Sequence, residues 1–376
     1  MTKKLWLLIL AGMLALCGRD ASRAEVDQKN ANYSDAWVDL IASKPLRMQR
    51  AYNSRTLFIG IFGFGWCSNF EHTLASASAD VMLFTFCGAG DELSFRRVTT
   101  DLFASPKYGT VRRAGDRLVV SLTPEAALDS GMAGCDECRQ YQLEGQVSTF
   151  DLRGRLLETR YSSGGRLTFE YAADLLRAVH DGDGHRFTLE YYSNGCVRRV
   201  FATNGLEARY YYDLERNLIM AVNSLHKKYS YIYDYVHNLV REEFPDGRTK
   251  VLTYYVPYDW VVSRKGLDGT LEQYNYLPRS QHHFRVDVIR TRGAQVERDR
   301  SEFFYRGSLR RSVETFGDNL RDVIWDSNGS PESVTLNGLR RRYKFDARGR
   351  LIDSATRLEN LQIPGLRVQE VKRPSR

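Results

Sequence analysis

The chain has 376 residues, 43% hydrophobic and 27% charged, the balance of an ordinary globular protein with room for one large or two ordinary domains. Its 22 Tyr and 18 Phe bring aromatics to 12%, an excess that favours strands. The formal net charge is +8, but the basic pairs and triplets, such as Arg96-Arg97, Arg112-Arg113, Lys227-Lys228 and Arg340-Arg341-Arg342, are scattered, which suits solvated strand faces and argues against a nucleic-acid-binding block.

Residues 1–24 read as an export signal. Lys3 and Lys4 precede an apolar run from Leu5 to Leu16 that is too short to span a bilayer as a mature helix, and no later segment is long and apolar enough. Ser22-Arg23-Ala24 offers small residues for signal peptidase, releasing a chain that begins at Glu25 with net charge +5. Leu14-Ala15-Leu16-Cys17 offers the other route, acylation of Cys17, but Leu16 stands where a lipoprotein signal wants a small residue. Export to the periplasm or beyond is expected, with a lipid anchor at Cys17 as the alternative.

Residues 25–145 read as a β-rich N-terminal domain. It holds the stretch "RAYNSRTLFIGIFGFGW", Arg50 to Trp66, in which aromatics alternate with glycines. That pattern suits a bent strand where backbone approaches backbone and rings fill one side, and it is expected to seed the sheet; a ligand-stacking platform is the alternative. Five cysteines follow the leader: Cys67, Cys87, Cys135, Cys138 and Cys196. The odd number leaves at least one thiol over in an oxidising compartment. Cys135 and Cys138 have CxxC spacing, but Gly131-Met132-Ala133-Gly134 precedes them in place of a strand and no second pair completes a zinc site. A local Cys135–Cys138 disulfide is the expectation. Cys67 and Cys87 lie in neighbouring strand-like runs and are candidates for a second one, with connectivity open.

From residue 146 to about 356 the chain repeats. Aromatics fall at Phe150, Tyr171, Tyr191, Tyr212, Tyr233, Tyr255, Tyr276, Tyr305, Trp325 and Phe345, with gaps of 21, 20, 21, 21, 22, 21, 29, 20 and 20. About eight extra residues lie between Tyr276 and Tyr305. Asp follows the aromatic at Asp151, Asp213, Asp234, Asp326 and Asp346, as in "FDLRGRL" and "FDARGRL". Its side chain accepts from amides just ahead, and Gly three residues on supplies a positive φ. A second turn half a unit later, as at Asn204-Gly205 and Asp246-Gly247, leaves two strands per unit. Alternation such as Leu167, Phe169 and Tyr171 against Thr168 and Glu170 agrees. A lone hairpin is marginal in water, so about ten hairpins should pair into one antiparallel strip that buries an aromatic stripe.

These residues resemble the Rhs or YD-repeat proteins of bacteria, whose unit reads roughly Tyr-x-Tyr-Asp-x-x-Gly-x-Leu. "YYYDLERNL" at 210–218, "YIYDYVHNL" at 231–239 and "YKFDARGRL" at 343–351 are similar to it. The family's N-terminal mark, Arg-x-Tyr-Asn-Ser followed by Gly-x-Phe-Gly-x-Gly-Trp, is matched by Arg50, Tyr52, Asn53 and Ser54 with Gly60, Phe62, Gly63, Gly65 and Trp66. The resemblance covers about residues 36–355. It implies an all-β protein of tandem antiparallel β-hairpins forming a curved sheet or partial shell, preceded by a β-rich N-terminal domain. Larger members enclose a toxic C-terminal domain released at an Asp-Pro segment. No Asp-Pro occurs here, and residues 357–376 form only a basic tail, so a short member without a toxin is expected.

Signs of catalysis are sparse. His72, His180, His185, His226, His237, His282 and His283 lack helical metal spacing, and no nucleophile elbow or phosphate loop accompanies them; His282-His283 is expected in a solvated loop. The repeated aspartates have sufficient roles in their turns, so neither paired glycosidase carboxylates nor a calcium loop is expected. Outward-facing rings, Tyr192, Tyr211, Trp260 and Trp325, are candidates for stacking on sugar, against the simpler expectation that periodic aromatics are core. The expectation is a non-enzymatic exported scaffold or binding protein with no cofactor or metal. Its partner would be an envelope glycan, another protein or a second copy. The alternative is a short shell that holds a toxin encoded separately.

Overall fold

The computed structural model describes residues 26–86, 92–105, 108–123, 146–162, 164–327, 331–345 and 351–358. The fold is all-β: among the described residues there is no α-helix, and one 3-10 turn spans Val256–Tyr258. Six short strands come first: β1 (Val26–Asp27), β2 (Asn32–Ile41), β3 (Arg47–Asn53), β4 (Ile59–Gly60), β5 (Gly63–Phe64) and β6 (Trp66–Ser68). Antiparallel pairing orders four of them β1-β2-β3-β6, while β4 and β5 pair only with each other.

From Thr73–Ser78 onward each strand pairs antiparallel with the next in the chain, up to Trp260–Lys265. Arg117–Leu122 pairs along its whole length with Gln146–Asp151, so the sheet runs unbroken across the boundary expected near residue 145. The compact units divide instead at Gly269 and Thr270. In the C-terminal unit the strands from Leu271–Ser280 to Leu351–Leu358 pair in the same sequential way. The extra residues before Tyr305 lengthen strands there: His283–Arg292 and Gln295–Arg306 have 10 and 12 residues. His283 is accordingly not in a loop; its ring stacks on Phe304 at 4.2 Å and its Nε2 lies 2.9 Å from Glu302 Oε2.

The repeating aromatic marks a bulge. The register shifts at Phe150, Tyr171, Tyr191, Tyr212, Tyr233 and Tyr254 in the first unit, and at Tyr305, Trp325 and Phe345 in the second. A bulge adds local twist and bend, so one is built into each of these nine hairpins, while the register runs unbroken through Tyr276. The series also corrects one position: Tyr254, not Tyr255, takes the repeating place. Its hydroxyl donates to Leu239 O at 3.1 Å, as Tyr233 does to Leu218 O at 2.8 Å and Tyr191 to Leu176 O at 2.5 Å. Each of these tyrosines thereby ties its hairpin to the leucine that closes the previous turn.

The motif from Arg50 to Trp66 does not seed this sheet. It belongs to β3 to β6, which pack as a separate layer on the buried aromatic face of the strip: Trp37 and Trp66 meet Tyr231, Phe62 meets Tyr210, and Phe70 meets Phe169 and Phe187. A sheet face carrying Leu167, Phe169, Phe187, Leu189, Tyr210, Tyr231 and Leu252 must be covered, and here the chain's own N-terminal residues cover it.

Candidate functional site

The contact between this N-terminal layer and the strip holds the densest polar chemistry in the described chain. Tyr33, Asp35, Trp37 and Asp39 alternate along β2, so their side chains share one face. Each meets a successive part of the strip. Asp39 Oδ2 accepts from Tyr210 Oη at 3.0 Å, Trp37 packs edge-on to Tyr231, Asp35 pairs with Lys250 Nζ, and Tyr33 Oη donates to Glu242 Oε1 at 2.8 Å. All four acidic and basic partners, Asp35, Asp39, Glu242 and Lys250, are buried.

Arg50 sits at the centre with 0% exposure. Its Nε donates to Asp39 Oδ2 at 2.6 Å, and its guanidinium lies 4.8, 5.0, 5.8 and 5.2 Å from the ring centroids of Trp37, Trp66, Tyr229 and Tyr231. Burial opposes its charge, but Asp39 together with Tyr231 and Tyr210 outweighs that and holds the proton more tightly than in free arginine. Trp66 Nε1 donates to Tyr233 Oη at 2.8 Å, and Tyr52 Oη accepts the Leu239 amide at 3.0 Å. Asn53 bends the next turn by accepting from the Arg55 amide at 3.0 Å, and Ser54 Oγ accepts the Tyr33 amide at 2.9 Å.

The glycines of the motif are places of close approach, to main chain at Gly60 and Gly63 and to a ring at Gly65. Gly63 has φ +92°, and a Cβ there would lie 2.1 Å from Arg216 O. A Cβ on Gly60 would lie 2.4 Å from Trp66 O, and one on Gly65 would lie 2.8 Å from the Tyr52 ring. The segment then follows the turn ends of successive hairpins: Val197 N donates to Ile61 O at 2.7 Å, Phe64 N to Arg216 O at 3.2 Å, and Phe64 stacks on His237 at 4.5 Å. Glu71 fastens it, accepting from the amides of Ile61 and Ser68 at 2.7 Å each. Burial raises the Glu71 carboxyl to about 7, and burial lowers its neighbour His72, packed against Phe84 and Phe86, to about 4.

The repeated aspartates act within their own turns. Asp151 Oδ1 accepts the amides of Arg153 and Arg155 at 3.0 and 2.9 Å, Asp213 those of Glu215 and Asn217 at 2.9 Å each, and Asp234 those of Val236 and Asn238 at 3.0 and 2.9 Å. Burial opposes the charge of Asp151, but the Arg155 amide and guanidinium hold it below the usual carboxylate range. Asp326 ends the strand Asn319–Trp325, and Asp346 lies outside the described residues.

The four candidate stacking residues differ in their surroundings. Tyr192 is engaged within the fold, its hydroxyl donating to Tyr210 O at 3.3 Å and its ring edge-on to Tyr212. Tyr211 is half-buried on the face opposite Tyr210, while the bulge after it returns Tyr212 toward Ile61. Trp325, in the C-terminal unit, donates from Nε1 to Ser312 Oγ at 3.3 Å. Trp260 is partly exposed beside Tyr258, ring centroids 5.1 Å apart. Cys87, Cys135 and Cys138 lie outside the described residues, and Cys67 and Cys196 are both buried.

Residues 32–95 match the model of a family described only as a domain of unknown function, DUF6531. The match spans β2 to β6 and the start of the long sheet, the segment that carries Arg50 to Trp66. No curated protein matches the chain. Among solved structures, a mutant Tc holotoxin pore from Photorhabdus luminescens is similar at 12% identity and TM-score 0.35, over 86% of this chain and 21% of that one. A TcdB2–TccC3 complex without its hypervariable C-terminal region gives 12% identity and TM-score 0.36 over the same shares. A porin-like protein from Bacteroides uniformis gives 10% identity and TM-score 0.18, over 57% of this chain and 89% of that one. The chain spans about a fifth of the length of the toxin-complex chains it matches. Among the described residues no helix is long and apolar enough to cross a membrane.

Proposed function

We propose that the chain is an exported, non-enzymatic repeat scaffold that engages a cell-envelope glycan or a protein partner. One observation carries this reading. The aromatic face of the strip, the surface a hollow shell would turn toward its contents, is filled from Phe169 to Tyr231 by the chain's own N-terminal layer. In this stretch the stripe needs no cargo to keep it from water. What remains for partners is the outer surface and the row of turns. The turn aspartates add to the non-enzymatic reading, because their oxygens already accept amides.

Crosslinking and affinity capture of the exported protein from its own envelope, with bound protein and bound carbohydrate analysed separately, tests the proposal. A stoichiometric protein partner or one enriched glycan is expected. A small toxic protein recovered in the complex would favour the cargo-holding alternative, and recovery of neither class would overturn the scaffold reading.

A further inference from the structure

One turn differs from those of the two preceding repeats. The turns Asp213–Asn217 and Asp234–Asn238 are each fastened by an aspartate that accepts two amides. In the next hairpin the place after the repeating Tyr254 is taken by Tyr255, and the turn reads Tyr255-Val256-Pro257-Tyr258-Asp259-Trp260. It folds as a 3-10 turn with Pro257 inside it and Asp259 at φ +52°. Asn238 Nδ2 of the neighbouring turn donates to Asp259 Oδ1 at 3.0 Å and fixes it. The hairpin has given up its aspartate and holds three rings toward solvent: Tyr255 is 49% and Tyr258 58% exposed, with Trp260 partly exposed. Consecutive ring centroids are 5.7 and 5.1 Å apart, with interplanar angles of 50° and 33°. Tyr235, 82% exposed, stands on the turn that Asn238 ties to this one.

Tyr254 keeps the repeating place in the core, and core packing does not account for the exposed Tyr255 and Tyr258 beside it. Large rings held in solvent on one turn mark a candidate binding surface. We infer that Tyr255, Tyr258 and Trp260 form a stacking platform for gluco-configured pyranosides, whose equatorial hydroxyls leave flat C–H faces for the rings. The proline and the hydrogen-bonded Asp259 hold the shelf in place before a ligand arrives, which lowers the entropy cost of binding. Rings with an apolar face and a hydroxyl or N–H edge suit a surface that is part C–H and part hydroxyl. Asp259, at the centre of the turn, accepts from sugar hydroxyls but repels the anionic head groups of a bilayer. This inference rests on the binding-scaffold reading above and names its site.

The test uses the full exported chain with cellotetraose and the tetramer of N-acetylglucosamine as probes, by calorimetry and saturation-transfer NMR. At least one probe is expected to bind, with transfer to the C–H faces. Tyr258→Ala and Trp260→Ala should each weaken binding by about tenfold or more with an unchanged unfolding midpoint, Trp260→Phe should weaken it less, and Trp325→Ala should leave it unchanged. Absence of binding by both probes, or binding that survives Tyr258→Ala and Trp260→Ala, overturns the platform. So does a loss confined to phosphatidylglycerol vesicles, which would make the rings a membrane contact. If envelope capture by the Tyr258→Ala/Trp260→Ala double variant still yields the wild-type partner, the platform fails and the scaffold stands; if wild-type capture yields nothing, the scaffold fails.

Discussion

Arg50 and Asp39 form a fully buried ion pair, Nε to Oδ2 at 2.6 Å, in a box of four aromatic rings. A charge in such a place is stabilising only while its partner remains, because the cost of desolvation is met by the pair and not by either member. Arg50→Ala should therefore destabilise the protein by about 3–5 kcal/mol, leaving Asp39 buried and unpaired. Arg50→Met with Asp39→Leu should recover a good part of that loss. Urea unfolding of the three proteins measures both numbers, and equal losses in the single and double variants would show that ring packing, not charge pairing, sets the cost.

The hydroxyls of the repeating tyrosines should matter unequally. Tyr254→Phe removes one neutral hydrogen bond, to Leu239 O, and should cost about 1 kcal/mol. Tyr233→Phe also leaves Trp66 Nε1–H without its acceptor inside the core, so its cost should reach about 2–3 kcal/mol. The difference between the two unfolding free energies is the readout. It should shrink in a Trp66→Phe background, where the orphaned donor is gone.

The repeat was legible because a hairpin needs two turns and an apolar stripe, and both leave marks at fixed spacing. Asp151, Asp213 and Asp234 announce their turns, and the bulged aromatics announce the bend. The N-terminal layer was not legible in the same way. Its glycines signalled close backbone approach at Gly60, Gly63 and Gly65, but the backbone approached lies partly some 150 residues away, at Arg216. Period alone cannot show such a partner. Asp35 and Asp39 alternate with Ala36 and Val38 as an exposed strand face would, yet they point into the core. Arg50 on the next strand, with Lys250 and Tyr210 distant in the chain, makes that burial tolerable. The departure at Tyr255 was hidden for a simpler reason: with Tyr254 and Tyr255 side by side, spacing alone does not say which of the two takes the repeating place.

Gly63 offers a direct test of the seam between layer and strip. Gly63→Ala adds a methyl 2.1 Å from Arg216 O at φ +92°, and neither main chain can yield without moving its sheet. A loss of at least about 3 kcal/mol is expected, beyond the ~1–2 kcal/mol of a left-handed backbone alone. Gly205→Ala is the control, since Gly205 has φ +84° but open space around it. Its cost should stay near about 1–2 kcal/mol. If the two variants unfold at the same urea concentration, the close approach at Arg216 carries no energy.

Glu71 and His72 should give stability two opposing dependences on pH. Glu71 is raised from 4.5 to about 7 by burial. Between those values the unfolded chain has lost the proton that the folded chain keeps, so this contribution is whole below pH 4.5 and is lost as pH rises to about 7. His72 is lowered by burial from 6.5 to about 4. Its contribution is whole above pH 6.5 and is lost as pH falls to about 4, because only the unfolded chain takes up the proton in that window. Each separation corresponds to roughly 3 kcal/mol, so in the wild type the two slopes largely cancel where they overlap. Glu71→Gln should expose the histidine alone, with stability climbing between pH 4 and 6.5 relative to wild type. His72→Phe should expose the carboxyl, with stability falling between pH 4.5 and 7. Urea unfolding of the three proteins across that range reads the slopes, and a Glu71→Gln profile parallel to wild type would mean that Glu71 is ionised in the folded chain throughout.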